Sequence, residues 1–279
     1  MAAGLERPLV MGVLNVTPDS FSDGGLYLDA EAAVAHAQEM AAEGAAIVDV
    51  GGESTRPGAQ PVPEREELER VIPVVERIAV DAEPTVSIDT RKLAVAEAAV
   101  QAGARIVNDV SAFRSDPGMA GLVASAGATC CLMHMLGDDP QTMQDDPRYE
   151  DVVSEVKAFL EERLAFAVSE GVPEEHVWLD PGIGFGKTPE HNLELIRRLD
   201  EIVAIGRPVV IGSSRKSFLG RITGRAERER VAATVAANVL AYERGASIFR
   251  VHDVSEAVDS LRVAAATVGR TQWTTTPSA

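Results

Sequence analysis

Residues 46–56 have the sequence AIVDVGGESTR, a short apolar strand pattern that runs directly into two glycines and a polar cluster. The same change from apolar to polar recurs at the ends of six other predicted strands, at Asn15, Asp89, Asn108, Asp180, 213–216 and Arg250 with His252. In a barrel of parallel strands, all carboxyl ends open on one face. The repeat therefore predicts an α/β fold, a (β/α)8 TIM barrel whose polar residues gather at one mouth.

The rest of the chain supplies the eight repeats that such a barrel needs. Runs rich in Val and Ile predict strands at 9–14, 46–50, 85–88, 105–107, 129–133, 177–179, 209–211 and 247–251. Helical periodicity lies between them, at 30–43, 64–80, 93–102, 117–126, 152–170, 193–204, 228–244 and 254–268. An open doubly wound sheet is the alternative, but it would concentrate its polar groups at one switch point. We expect a single barrel domain over residues 1–270 and a disordered tail over 271–279.

Composition and charge argue against several other classes of protein. The chain has 279 residues, 46% of them hydrophobic, and a formal net charge of −17, which disfavours nucleic acid and acidic membranes as partners. The first ten residues lack the apolar segment of a signal peptide, and no run of about 18 apolar residues occurs, so we expect a cytoplasmic protein. Cys130 and Cys131 are adjacent in an apolar run, which predicts core positions and no catalytic role.

The first two loops at the predicted mouth contain candidate ligand-binding residues. The loop over 15–25 is long and rich in turn formers, as lids are. Asn15 could supply an oxygen to a magnesium ion held mainly by phosphate, or it could cap its own loop. In the second loop, Thr55 and Arg56 could reach a substrate anion, although Arg56 could equally be a solvated loop charge.

Two carboxylates end different strands and can converge on one ligand. Asp89 and Asp180 could each accept two coplanar hydrogen bonds from an aminopyrimidine edge, such as that of guanine or a pterin, and Asn108 adds a donor and an acceptor. The alternatives are a helix N-cap for Asp89 and a catalytic acid–base pair.

Residues 181–188, PGIGFGKT, nearly match a phosphate-binding loop. The pattern G-x-x-x-x-G-K-[ST] requires glycine where this chain has Pro181. We therefore interpret the glycines as a tight turn that brings Phe185 close to a flat ligand.

The strongest cationic group follows the last two predicted strands. It consists of residues 213–217, SSRKS, together with Arg250 and His252. Barrels often bind phosphate in the loops after strands seven and eight, so this position predicts a pyrophosphate site. Fixed positive charge and a metal would stabilise pyrophosphate as a leaving group. A surface ion-pair cluster is the alternative.

Taken together, these motifs resemble those of the dihydropteroate synthase family. The resemblance covers residues 10–254 and rests on the strings LNVTPDSFSDGG at 14–25, DVGGESTRPG at 49–58, SIDT at 87–90, LDPGIGFGK at 179–187, SRKSFLG at 214–220 and RVH at 250–252. It implies a pterin-binding barrel that joins 6-hydroxymethyl-7,8-dihydropterin diphosphate to 4-aminobenzoate with magnesium. The products would be 7,8-dihydropteroate and pyrophosphate.

The resemblance also implies roles for individual residues. The pterin would be held by Asp89, Asn108, Asp180 and Lys216, with Met135 and Phe185 beside its ring. The diphosphate and its magnesium would be held by Asn15, Arg250 and His252. The aminobenzoate site would be formed by Thr55, Pro57 and Ser217, and closed by Phe21, Asp23 and Arg56. The residues expected to matter most for catalysis are Arg250, His252, Lys216, Asp23 and Arg56.

Other expectations follow from the same resemblance. Relatives form homodimers through outer helices, and the apolar segment 231–241 could form such a face or could pack on the barrel. The family is also the target of sulfonamides. The fifth loop, 133–140, carries one more acidic residue than the commoner pattern, Asp138 or Asp139, and Asp49 has no role beyond its place in a motif.

A second hypothesis keeps the pterin site without the synthase chemistry. An inactive relative, or a methyltetrahydrofolate-binding domain for corrinoid methyl transfer, would retain Asp89, Asn108 and Asp180. Such a protein would have no reason to keep the basic string at 214–217 or the complete lid sequences. The site residues therefore favour the synthase.

Overall fold

The computed structural model describes residues 7–17, 25–54, 59–80, 83–138 and 142–269, with side chains from Ala30 onward in the first helix. Eight strands occur within these ranges: β1 Leu9–Asn15, β2 Ile47–Gly51, β3 Thr85–Asp89, β4 Ile106–Asp109, β5 Thr129–Met133, β6 Val177–Asp180, β7 Val210–Ile211 and β8 Ile248–Val251. They pair in parallel in the order β6-β5-β4-β3-β2-β1-β8-β7. A parallel bridge between Leu179 and Val209 joins the two ends of this sheet. The predicted (β/α)8 barrel is confirmed.

Helices follow the strands along the chain. Those in the described ranges are α1 Gly25–Ala42, α2 Glu64–Ile78, α3 Leu93–Gln101, α4 Gly118–Ala126, α5 Val152–Ser169, α6 Pro189–Arg197, α7 Leu199–Val203, α8 Ser217–Thr223, α9 Val231–Glu243 and α10 Val254–Thr267. In this part of the chain, no helix is long and apolar enough to cross a membrane.

The helix prediction was wrong in several regions. Helix α1 begins at Gly25, five residues before its predicted start, and α9 begins at Val231, three residues after its predicted start. The predicted helix at 193–204 is two helices, and the first begins four residues earlier, because Thr188 Oγ1 caps the backbone N–H of His191 and Pro189 occupies the first helical position. Helix α8 was not predicted at all. It has only seven residues, too few for a clear helical period.

Side chains alternate between the inside of the barrel and its outer helices, as the period of a strand requires. An inner cluster closes the base of the barrel and contains Met11, Ile47, Ile106, Cys131, Val210 and Ile248, with Trp178 packed against it. Cys130 belongs instead to the layer between strands and helices. Both cysteines are buried free thiols, as predicted, and burial raises their pKa values, so neither provides a thiolate.

Candidate active site

The carboxyl ends of the strands surround a cavity of about 530 Å³. Its lining includes most of the predicted site residues that the structure describes, namely Asn15, Asp89, Asn108, Asp180, Phe185, Lys216, Ser217, Arg250 and His252. Strand geometry explains this arrangement. Asn108, Asp180 and Arg250 each lie two residues beyond a member of the basal cluster or its neighbour Trp178, so their side chains also point into the barrel.

Arg250 joins two carboxylates at the floor of this cavity. Its Nε lies 2.6 Å from Oδ2 of Asp49, and its Nη2 lies 2.7 Å from Oδ2 of Asp89. Asn108 Nδ2 donates to the same oxygen of Asp49 at 2.9 Å. Asp89 therefore faces the cavity and an arginine, and the cap of α3 is Lys92, so the N-cap alternative for Asp89 does not apply.

Asp49 is the functional residue that the sequence analysis missed. It is fully buried, and it binds two predicted site residues, Arg250 and Asn108. The spacing could have revealed it, because Asp49 lies two residues after Ile47 of the basal cluster and so shares the inward face of β2. It sits below the cavity and orients the groups that line it.

Burial dominates the protonation behaviour of the mouth. It raises the pKa of Asp180 to about 6, although the backbone N–H of Gly182 and the charges of Lys216 and Arg250 oppose the shift. Burial likewise raises the pKa of Asp89, with Arg250 opposing and Asp49 reinforcing the shift. For Arg250, burial alone would lower the pKa, but Asp49 and Asp89 raise it above its usual value. Arg250 is therefore a permanent cation at the cavity floor.

The glycines after β6 permit two close approaches. A Cβ added to Gly182, whose φ is +68°, would lie 1.9 Å from the carbonyl oxygen of His134. A Cβ on Gly186 would lie 2.3 Å from Cβ of Leu136. The turn therefore packs directly on the fifth loop, and only glycine fits. Its tip places Phe185 at the cavity, where the Lys216 ammonium lies 4.1 Å from the ring centroid.

Lys187 points away from the cavity. Its Nζ lies 2.9 Å from Nδ1 of His134 and 3.0 Å from the carbonyl oxygen of Phe185, and the residue is 4% exposed. Burial lowers the pKa of Lys187 to about 7 and that of His134, which also faces the lysine charge, to about 2. A phosphate-binding loop needs its lysine at the ligand, so this geometry agrees with the rejection of that motif.

The structure places the predicted methionine behind the cavity wall. Met135 is 1% exposed and packs in a cluster with Val110, Met133 and Met143. The cavity is lined by Met133 and Met143 instead. Met133 is the last residue of β5 and lies two residues after Cys131, so strand alternation turns it inward, whereas Met135 lies beyond the strand.

The cationic side of the mouth contains part-buried hydrogen bonds and an ion pair. Ser214 Oγ lies 3.0 Å from Nδ1 of His252 and accepts the His252 backbone N–H at 3.1 Å. Arg215 forms an ion pair with Asp253, so the ion-pair alternative holds for Arg215. In the fifth loop, Asp138, one of the two candidates for the additional acidic residue, accepts a hydrogen bond from Arg114 at 2.8 Å.

Several predicted residues lie outside the described ranges. These are Phe21, Asp23, Thr55, Arg56, Pro57 and Asp139. The wall next to the second loop is nevertheless described, and Glu53 and Ser54 line the cavity there. Lys92 Nζ holds this wall by donating to Glu53 at 2.6 Å, to the carbonyl oxygen of Val62 at 2.8 Å, and to Glu67.

Comparison with known proteins identifies the family. The model of the family described as "Pterin binding enzyme" matches residues 11–252. The dihydropteroate synthase of Escherichia coli strain K12 is 47% identical over 264 residues, which cover 95% of this chain and 93% of that protein. The chain belongs to the dihydropteroate synthase family of pterin-binding enzymes.

Solved structures of dihydropteroate synthases agree with the fold throughout. The Xanthomonas albilineans dihydropteroate synthase with 4-aminobenzoic acid has a TM-score of 0.88 and 49% identity, covering 94% of this chain and 93% of that one. The Yersinia pestis dihydropteroate synthase in a sulfonamide drug complex has a TM-score of 0.89 and 42% identity, covering 96% and 98%. The match of the "Pterin binding enzyme" family model to residues 11–252 spans the positions of all predicted site residues, from Asn15 to His252.

Proposed function

We propose that this chain is a transferase that joins 6-hydroxymethyl-7,8-dihydropterin diphosphate to 4-aminobenzoate, forming 7,8-dihydropteroate and releasing pyrophosphate in folate biosynthesis. The observation that carries the proposal is the convergence of Asp180, Asn108, Lys216 and Arg250 on one cavity. Buried carboxylates suit the N–H groups of a pterin, whereas the cations suit a diphosphate.

Pterin recognition is assigned to the carboxylate side of the cavity. The Asp180 carboxylate can accept from the amino and ring N–H groups of the aminopyrimidine edge, and the Asn108 amide oxygen can accept a further hydrogen bond. Phe185 and Met133 offer apolar surface for the ring. Lys216, which lies over Phe185, completes this side with a positive charge.

The chemical step depends more on stabilising the charges of the leaving pyrophosphate and of the methylene cation than on a strong base. The bond between the pterin methylene carbon and the diphosphate oxygen breaks, and the electron pair leaves with pyrophosphate. The methylene cation is spread into the pterin ring, and the arylamine nitrogen then attacks it and loses a proton. Arg250 and His252 are assigned to the departing pyrophosphate, because fixed donors cost little reorganisation when charge develops.

Magnesium is proposed as the metal of this site. In the described ranges, no group of three or more His, Cys, Asp and Glu residues could hold a metal by itself. Asn15 offers an amide oxygen at the cavity, which fits an ion that takes few protein ligands and binds substrate phosphates. When bound, magnesium would stabilise the negative charge of the pyrophosphate. Replacement of Asn15 by Ala should weaken the magnesium dependence of pterin diphosphate binding, measured by calorimetry.

The proposal extends to assembly, location and drug sensitivity. Leu240 on α9, Val263 on α10 and Val268 directly after α10 expose apolar side chains, which supports a homodimer through these outer helices. Two buried free thiols suit a cytoplasmic protein. Sulfonamides are proposed to compete with 4-aminobenzoate. For the homodimer, the test is sedimentation of a Val263→Asp variant, which should be monomeric. For the sulfonamides, the test is whether excess 4-aminobenzoate relieves their inhibition.

The decisive test measures pyrophosphate release from the pterin diphosphate, with and without 4-aminobenzoate. We expect release that increases with 4-aminobenzoate and a product with the mass of 7,8-dihydropteroate. A folded protein that binds the pterin but releases no pyrophosphate in either condition would contradict the synthase and favour a pterin-binding protein. Asp180→Asn serves as the matched variant, since it should bind the pterin more weakly while keeping its fold.

A further inference from the structure

Arg215 adopts a backbone conformation that side-chain-bearing residues rarely take. Its φ is +57°, in the left-handed region, and it lies in the turn between Ser214 and Lys216. For a residue with a Cβ this conformation costs free energy, and such residues persist only where their surroundings hold them. The contacts around Arg215 therefore need to supply that restraint.

Three separate residues hold this turn. The Arg215 guanidinium binds the Asp253 carboxylate through two nitrogens, with Nε 3.0 Å from Oδ2. The Arg215 backbone N–H donates to Oγ1 of the buried Thr234 at 3.1 Å. Its carbonyl oxygen accepts from Nη1 of Arg230 at 2.9 Å. The backbone N–H, the carbonyl oxygen and the side chain of Arg215 are thus each bound by a different residue.

Gly220 makes room for one of these contacts. A Cβ at this position would lie 2.4 Å from Nη2 of Arg230 and 2.5 Å from its Cζ. Glycine in α8 therefore lets the Arg230 guanidinium lie against the helix while it reaches the Arg215 carbonyl oxygen. The Arg230 guanidinium therefore has a defined position against α8, unlike the side chain of a solvated surface arginine.

The residues on either side of Arg215 are the ones that face the proposed chemistry. Ser214 contacts His252 through Oγ at 3.0 Å, and Lys216 lies over the Phe185 ring. We propose, on the basis of the proposed synthase function, that Asp253 and Arg230 are positioning residues. They hold Arg215 in the left-handed conformation and so set the positions of Lys216 and His252 at the pterin diphosphate.

The test compares Arg215→Gly with Arg215→Ala. Both variants lack the guanidinium, but only glycine takes a left-handed φ without cost. We expect Arg215→Ala to raise KM for the pterin diphosphate by about tenfold relative to Arg215→Gly, because the alanine turn relaxes. Equal kinetics in the two variants would overturn the proposal and assign the effect to the lost charge alone.

Asp253→Ala tests the holding residue directly. It should raise KM for the pterin diphosphate, and the double variant with Arg215→Gly should recover most of the loss, because glycine no longer needs the restraint. Asp259→Ala, an exposed change on α10, is the control. A change in melting temperature without a change in KM would refute the positioning role. Wild-type protein is assayed in parallel, and its failure to release pyrophosphate would count against the proposed function instead.

Discussion

Arg250 Nε lies 2.6 Å from Oδ2 of Asp49, a carboxylate that solvent does not reach, although 201 positions separate the two residues in the chain. The same guanidinium binds Asp89. One cation thus binds two buried carboxylates at the cavity floor, and it also lines the cavity. Folding and proposed catalysis therefore depend on the same residue.

Arg250→Ala should destabilise the fold as well as reduce turnover. The free energy of unfolding should fall by about 3–5 kcal/mol, because a buried carboxylate that loses its partner keeps its desolvation cost. Urea unfolding measures this change. The double variant Asp49→Asn/Arg250→Ala should be more stable than Arg250→Ala alone, and a double variant as unstable as the sum of the single changes would show that the pair is not coupled.

The same substitution should slow the proposed reaction. Loss of a preorganised charge partner for the leaving group typically costs about 2–4 kcal/mol of transition-state stabilisation. The measurement is kcat/KM for pyrophosphate release at a temperature where the variant remains folded. Turnover equal to that of the wild type would contradict the diphosphate assignment of Arg250.

The pKa of Asp180 predicts opposite effects of pH on stability and on binding. Its value in the folded chain is about 6, against an ordinary 3.8. Between these values the folded chain keeps a proton that the unfolded chain has released, so this group lowers the free energy of unfolding as pH rises from about 4 to 6. Pterin affinity should instead increase as pH passes 6, because the ionised carboxylate is the acceptor.

Asp180→Asn supplies the control for this pH dependence. The amide does not titrate, so the variant should show flatter profiles of both unfolding free energy and pterin affinity between pH 4 and 7. Calorimetric titration with a pterin and urea unfolding at each pH provide the two measurements. A variant that keeps the wild-type pH profile of affinity would assign the titration to another group, such as Asp89.

Gly182 and Gly137 form a matched pair for testing the tight turn. Their φ values are +68° and +69°, but a Cβ on Gly137 meets nothing within 4 Å. Gly137→Ala should cost about 1 kcal/mol of stability, the conformational penalty alone. Gly182→Ala should cost clearly more and weaken pterin binding, because the His134 backbone has to move. Similar thermal stabilities for the two variants would argue against a close approach of Gly182 to the His134 carbonyl oxygen.

Lys92 should stabilise the wall that carries Glu53 and Ser54. Lys92→Met leaves Glu67, which is 1% exposed, without its cation, and we expect a loss of about 3 kcal/mol in the free energy of unfolding. Arg65→Ala removes an exposed ion pair with Glu69 on the same helix and should have no measurable effect. If the two variants unfold at the same urea concentration, the Lys92 contacts do not anchor this wall.

Local patterns predicted the strands better than the helices. Seven of the eight strands contain Val or Ile and run into a polar residue or cluster, with β5 (TCCLM) as the exception, and the observed strand bounds lie within two residues of those expected. The Thr188 cap and Pro189 were visible in the sequence, yet the start of α6 was placed four residues late. Helix α8 has no periodic signal of its own and is held by contacts such as that between Gly220 and Arg230.

The sequence by itself determined that polar strand ends meet at one mouth, because parallel strands of a barrel share a direction and their side chains alternate. It also contained the motifs of the family. Only the tertiary structure decided which groups bind each other: Asp49 beneath Arg250, Met133 instead of Met135 at the cavity, and Lys187 turned towards His134. Such pairs join strands and loops that are distant in the chain, and the closure of the barrel, which no local pattern encodes, sets their distances.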